Sequence, residues 1–336
     1  MMAGFTPGAM GLLAPIQSLL DDEKISEILI NRPQEVFYEK EGHLVMLLVP
    51  DLTERHLIHL FQLISSESEQ ILDEEHPLLS ASLCDGSRVQ VVLPPTSLYP
   101  TLSIRRKVVK NFVLQNYEKS NFYDGVKKFT NKETLGLLPD EEQQLSEFYR
   151  QQCWPEFIKK AIELKKTLVI SGGTSSGKTT FLNACLHHID HDQRLIVLED
   201  TREIEIPHQN QVRLLASKGG QNKAQVTMQD LVQCCLRLRP DRIICGEIRG
   251  KEILDFLAAS STGHEGSMTS IHANNPSIAF MRMTQMYKLN NVPSMTDKDI
   301  LRELRAVIDV VIQICKTPKG RRVQSIYYKY GHLMRE

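Results

Sequence analysis

The sequence predicts an α/β protein, with a mostly parallel sheet in its C-terminal part and a smaller α+β domain before it. Three observations carry this. Short apolar runs at 167–170, 194–198 and 242–245 alternate with stretches of helical period, the pattern of a parallel sheet covered by helices on both faces. The first 107 residues instead string strand patterns together around two helical stretches and a tight turn. A chain of 336 residues is also long enough for about two cores.

In the first part, Leu12, Leu13, Ile16, Leu19 and Leu20 have the spacing of one face of an opening helix. Residues 27–31 read as a buried strand, and 36–40 with 44–48 as a hairpin turning at Glu41-Gly42. Residues 57–64 have helical period, 89–93 form a strand stopped by Pro94-Pro95, and 102–105 form another. From 108 to 153 the apolar pattern breaks up, so this stretch reads as a connection carrying short helices, one of them at 141–151. The expected division is therefore 1–107, a connection at 108–153, and 154–336. The last part opens with a helix at 155–164. It closes with a hairpin, 310–314 and 323–327 flanking Pro318-Lys-Gly320.

Composition narrows the function classes. Forty Lys and Arg face 41 Asp and Glu, a net charge of -1. No global basic field exists to hold nucleic acid, although a local patch or pore lining stays open. The seven cysteines include no Cys-x-x-Cys pair, which argues against a zinc site or a disulfide framework. His187, His188 and His191 lack the Glu of a His-Glu-x-x-His motif and read as surface residues. No apolar run approaches the roughly 18–20 residues needed to span a bilayer, and no Lys or Arg precedes the mildly apolar segment 11–16, as a secretory signal requires. A soluble protein that meets a membrane only peripherally is expected.

The chemistry starts at Gly172-Gly-Thr-Ser-Ser-Gly-Lys-Thr179, which follows a short apolar strand and runs into a helical segment. That context identifies a phosphate-binding P-loop. Its glycines let successive backbone N–H groups turn inward, and the next helix adds its positive end. Gly172, Gly173, Thr174, Ser175, Ser176, Gly177, Lys178, Thr179 and Thr180 form the expected nucleotide cradle. Lys178 reaches the outer phosphates, and Thr179 offers its hydroxyl to Mg²⁺.

Three further segments supply charge. Residues 195–198 deliver Glu199 and Asp200 at the C-terminal end of a strand, where ligands of open α/β sheets bind. A carboxylate there polarises water or holds Mg²⁺, and Glu199 is the first candidate for orienting the attacking water; capping a turn is the alternative. Arg237-Leu-Arg-Pro-Asp-Arg-Ile-Ile-Cys-Gly-Glu-Ile-Arg249 places Glu247 after a second buried strand, as a candidate Mg²⁺ ligand through water. Thr262-Gly-His-Glu-Gly-Ser-Met-Thr-Ser-Ile-His-Ala273 ends a third strand pattern on His272, a candidate γ-phosphate sensor.

In that order these segments resemble the Walker A, Asp, Walker B and His boxes of secretion ATPases. The variants are most similar to the VirB11 branch, the traffic ATPases of bacterial type IV secretion systems. Glu27-Ile-Leu-Ile-Asn-Arg-Pro33 and Asp85-Gly-Ser-Arg-Val-Gln-Val-Val-Leu-Pro-Pro95 extend the similarity into the first domain. The resemblance implies a RecA-like P-loop domain, ATP and Mg²⁺, and a homohexameric ring at the cytoplasmic face of the inner membrane, beside other secretion-machine proteins. It places Arg88 and Arg105 where they reach the phosphates, with Arg202 and Arg239 as weaker candidates. The long connection resembles members whose domains pair across subunits. Rival readings are a type II secretion or type IV pilus motor, a nucleotide-gated docking hub with little turnover, and a nucleic-acid translocase.

Overall fold

The computed structural model describes residues 8–107, 113–119, 122–126, 142–217 and 223–334. The N-terminal part is a six-stranded antiparallel sheet in the order β3-β2-β1-β6-β5-β4. Its strands are β1 (Ile25–Arg32), β2 (Glu35–Lys40), β3 (His43–Leu48), β4 (Leu78–Ser82), β5 (Arg88–Val92) and β6 (Thr101–Arg105). Period-2 alternation along β1 and β5 sends Ile28, Ile30, Val89 and Val91 to one face. There they meet Leu57, Leu60, Phe61 and Ile64 of helix α3 (Glu54–Glu67). Thr53 caps α3, its hydroxyl accepting the His56 N–H.

The opening segment departs from a continuous helix. A 3₁₀ turn at Ala14–Ile16 separates α1 (Gly8–Leu12) from α2 (Gln17–Asp21). Pro15 causes the break, because it has no N–H to continue an α-helical ladder. Leu13, Ile16, Leu19 and Leu20 are nevertheless buried in the same core. The strand β4 was not expected from sequence. Of the connection, only α4 (Leu114–Lys119), residues 122–126 and α5 (Gln143–Arg150) are described. Most of the polar stretch 121–131 and residue 141, the expected start of the last helix, lie outside the described residues. Leu145 of α5 is buried among Phe157, Ala161 and Ile162 of α6 (Trp154–Glu163). By its packing, then, α5 goes with the second sheet rather than with a free connection.

The second sheet has seven strands in the order β13-β12-β7-β11-β10-β8-β9. These are β7 (Leu168–Gly172), β8 (Leu195–Glu199), β9 (Gln211–Leu215), β10 (Arg242–Cys245), β11 (Met268–Ile271), β12 (Val310–Thr317) and β13 (Gly320–Tyr328). All neighbouring pairs are parallel except β12–β13, the expected terminal hairpin. Alternation splits the core in two. Leu168, Ile170, Val310 and Ile312 face α5, α6 and α7 (Lys178–Leu186). Val169, Ile271 and Val311 face α9 (Glu252–Ser260), α10 (Pro276–Lys288) and α11 (Asp297–Val307). Helix α8 (Met228–Cys235) packs with Ile196, Leu198 and Ile243 at the β8–β9 end. Cys185, Cys234, Cys235 and Cys245 are buried, and burial pushes their thiols up, so they pack as small apolar groups.

Because β7, β8, β10 and β11 are parallel, their C-terminal ends share one sheet edge. That edge carries the P-loop, Glu199, Glu247 and His272. The N-terminal sheet meets the β8–β9 edge: the Leu215 N–H donates to Thr96 O at 2.7 Å, and Val92 enters the α8 core. Among the described residues no helix is long and apolar enough to cross a membrane.

Candidate nucleotide site

The loop between β7 and α7 is shaped by close approach and by backbone conformation. A Cβ on Gly172 would lie 2.4 Å from Ser176 Oγ and 2.7 Å from Ile314 O, so only glycine fits. Gly177 caps α7 with φ 94°, in the left-handed region that a side chain opposes. Helix α7 thereby starts at Lys178, and its unpaired N-terminal amides face the loop.

Lys178 is only 8% exposed. Its Nζ donates to Gly172 O and Gly173 O, both at 3.2 Å, and lies 3.4 Å from each ring nitrogen of His272. His272 Nε2 in turn lies 3.3 Å from Glu247 Oε2. Burial chiefly lowers the Lys178 pKa, against the opposing pull of Glu247. Burial also lowers the His272 pKa, Glu247 opposing and Lys178, Arg249 and Arg282 reinforcing. A neutral imidazole has one donor and one acceptor nitrogen, which suits a place between an ammonium and a carboxylate. Lys178, His272 and Glu247 thus form one connected row at the sheet edge.

Arg249 closes the far end of that row. Its Nε lies 2.9 Å from Glu247 Oε1, its Nη2 donates to Oε2 at 3.0 Å, and its Nη1 bonds Asp200 Oδ2. The hydrogen bond to Glu247 is the main reason its pKa rises. Glu199 is engaged differently. Its Oε1 accepts the N–H groups of Glu203 and Ile204 at 2.6 and 2.7 Å, and its Oε2 pairs with Arg213 at 3.1 Å. Glu199 is 2% exposed, so it organises the loop after β8. That loop carries Glu203, whose Oε2 accepts the Thr179 hydroxyl at 3.3 Å. Asn183 holds the same loop through Glu203 O and the Glu205 N–H.

The structure therefore brings Lys178, His272 and Glu247 together, and puts Glu203 rather than Glu247 beside Thr179. Glu203 was missed although it stands in the same Glu-Asp-Thr-Arg-Glu run as Glu199. Arg249 was in view in the sequence without a role. Arg88 and Arg105 face each other across β5 and β6. Arg105 is 73% exposed and 3.6 Å from Glu27 Oε1. Among the described residues, neither arginine has a hydrogen bond or ion pair to the P-loop of its own chain. Arg202 reaches Pro95 O and Arg213 O, and Arg239 bonds Glu39 and Asp241, so both belong to the contact between domains. His191 stacks on His208 at 5.0 Å.

Among the described residues no group of three or more His, Cys, Asp or Glu could hold a metal alone. The donors beside Lys178 are a hydroxyl and carboxylates, all hard oxygens. That set fits Mg²⁺, which takes one or two protein ligands and leaves the rest to phosphate and water.

Residues 11–333 match the sequence profile of the family described as type II/IV secretion system protein. The type IV secretion system protein VirB11 of Brucella suis biovar 1 is 34% identical over 325 residues, 94% of this chain and 89% of that protein. Protein VirB11 of Agrobacterium fabrum is 33% identical over 302 residues, covering 90% and 88%. The crystal structure of the VirB11 ATPase from the Brucella suis type IV secretion system, in complex with sulphate, superposes with a TM-score of 0.89. It is 31% identical, over 97% of this chain and all of that one. With a match that runs through both sheets and every box of the site, the chain belongs to the type II/IV secretion system protein family.

Proposed function

We propose that this protein is a VirB11-type ATPase that energises substrate translocation or pilus assembly in a type IV secretion system. The row Lys178–His272–Glu247 at the mouth of the P-loop carries the reading. Lys178 and the loop amides hold the β- and γ-phosphates, for which Lys178 gives up its contacts with the Gly172 and Gly173 carbonyls. His272 couples the occupancy of Lys178 to Glu247. Glu247, freed from part of its bond to Arg249, orients the water; the three donors on Glu199 weigh against that residue as the base. The Thr179 hydroxyl, with Glu203 or Glu247 accepting from its waters, would hold Mg²⁺, which would supply charge neutralisation at the phosphates.

The ring is part of the same proposal. Arg88 and Arg105 are exposed and leave their own P-loop alone, as groups serving a neighbouring subunit of a hexamer would. The same proposal puts the protein at the cytoplasmic face of the inner membrane beside other secretion proteins, a reading supported by its likeness to type IV secretion system proteins. The test is turnover by the full-length protein. ATP hydrolysis that depends on Mg²⁺ and is lost in Lys178→Ala is expected. A wild type that binds ATP, assembles and supports secretion with no hydrolysis above background would replace the motor with a docking hub.

A further inference from the structure

The terminal hairpin flanks the P-loop strand through β12 and extends beyond it toward the loop. β12 runs parallel to β7 from Val310↔Leu168 to Ile314↔Gly172. It then continues to Thr317 before the turn. At about 3.3 Å per residue, three further residues carry the hairpin about 10 Å past the end of β7, over the loop where the nucleotide lies. On the returning strand Arg321 stands directly opposite Lys316, so their side chains share one face. The stem of Arg321 lies against the loop: a Cβ on Gly177 would meet its Cδ at 2.9 Å and its Nε at 3.3 Å.

Like charges directly opposite in a ladder repel. Both residues are exposed, and among the described residues neither side chain has a hydrogen bond or ion pair to offset that cost. A pair of cations held on the cap of a phosphate-binding helix is completed by an anion. The γ-phosphate end of the site is marked by Lys178, His272 and Glu247. Arg321 lies instead against Gly177, the N-cap of α7, and among the described residues its side chain has no hydrogen bond or ion pair to that row.

We propose that Arg321, with Lys316 beside it, binds the α- and β-phosphates of the nucleotide from within the same chain, a role that rests on the nucleotide-site reading above. The pair sets affinity for nucleoside di- and triphosphates alike. It leaves the chemical step to the Lys178–His272–Glu247 row.

The experiment titrates the full-length protein with a fluorescent ADP analogue, displaces it with ATP and with GDP, and measures steady-state hydrolysis in parallel. Arg321→Ala is expected to weaken ADP, ATP and GDP by a common factor of about ten. KM should rise with kcat nearly unchanged, the mark of uniform binding. Arg321→Lys should recover part of the loss, and Lys316→Ala should show a smaller one. The melting temperature without nucleotide should hold or rise slightly, because the side chain is exposed and its removal relieves the repulsion from Lys316. A loss confined to ATP would assign Arg321 to the γ-phosphate, and a loss confined to adenine nucleotides would assign it to the base; either overturns the proposal, as does unchanged ADP affinity. Failure of the wild type to bind ADP would instead overturn the nucleotide reading itself.

Discussion

A carboxylate at the end of a strand can serve the reaction or the fold, and its donors tell which. Glu199 is wrapped by two backbone N–H groups and a guanidinium, whereas Glu247 is shared between Arg249 and His272, both side chains that can move. Amidation separates the two cases. In Glu199→Gln one accepting oxygen becomes an NH₂ facing a donor, so a buried group loses its partner at a cost of about 1–3 kcal/mol. The expected outcome is a lower melting temperature, with hydrolysis reduced through the displaced loop. Glu247→Gln should melt close to wild type, keep ATP binding, and lose turnover by roughly 10²–10⁴, the range of general-base assistance. Calorimetry paired with single-turnover assays decides between them. Normal melting with abolished hydrolysis in Glu199→Gln would reverse the assignment. Sequence led to both acids because each follows an apolar run. It put Glu199 first, because the donors to Glu199 come from the loop conformation and from Arg213 on another strand, which sequence does not display.

At the scale of the element, the strand–loop–helix at 168–186 was legible because its determinants are local: glycine where backbone must approach or turn, then a helix start. Two strands were not. β4, Leu-Leu-Ser-Ala-Ser, and β9, Gln-Val-Arg-Leu-Leu, lie at sheet edges, and their short mixed sequences become strands by pairing with β5 and β8. A signal for β4 existed in Asp85-Gly86, a hairpin dipeptide between two strand-like runs. The opening helix failed for the opposite reason, a correct apolar period interrupted by Pro15. The loop makes the sharpest prediction at this scale. Gly172→Ala forces a Cβ against the Ile314 carbonyl, which belongs to a paired strand and cannot swing aside. Strain of about 1–3 kcal/mol is expected, together with a loss of ATP affinity measured by titration. Thr227→Ala is the control: it removes one side of the Thr227–Asp230 capping box of α8. It should cost about 1 kcal/mol and leave ATP affinity intact. Equal affinity in the two variants would show that the close approach at Gly172 is not what shapes the site.

At the scale of the whole molecule, the two sheets are joined through buried polar groups, which no periodicity in the sequence announces. Arg194, fully buried, donates to Asn31 Oδ1 at 2.6 Å and to Leu238 O at 2.8 Å, and Asn31 also bonds Asn210 at 3.0 Å. Burial chiefly lowers the Arg194 pKa to about 9. Arg239 reaches across to Glu39 at 2.7 Å. Glu27 stands beside this contact, its side chain 10% exposed, 3.6 Å from Arg105 and opposite Glu39 on β2. Burial raises its pKa to about 7, with Glu39 adding to the rise and Arg105, Arg239 and Arg194 opposing it. A carboxyl whose pKa is higher folded than unfolded favours the folded state in its neutral form. Its stabilisation is complete below the ordinary glutamate value of 4.5 and is lost as pH rises through about 7. Up to about 3 kcal/mol should disappear between pH 5 and pH 8, since each tenfold change in proton affinity is worth about 1.4 kcal/mol. Glu27→Gln cannot ionise and should flatten this dependence, leaving the variant the more stable protein above pH 7. Urea unfolding at pH 5, 6.5 and 8 measures it, and a wild type and variant that change in parallel would show that Arg105, Arg239 and Arg194 hold Glu27 charged throughout. In that case Glu27 would join the salt bridges at the domain contact, and Arg105 would be less free to serve a neighbouring subunit's phosphates.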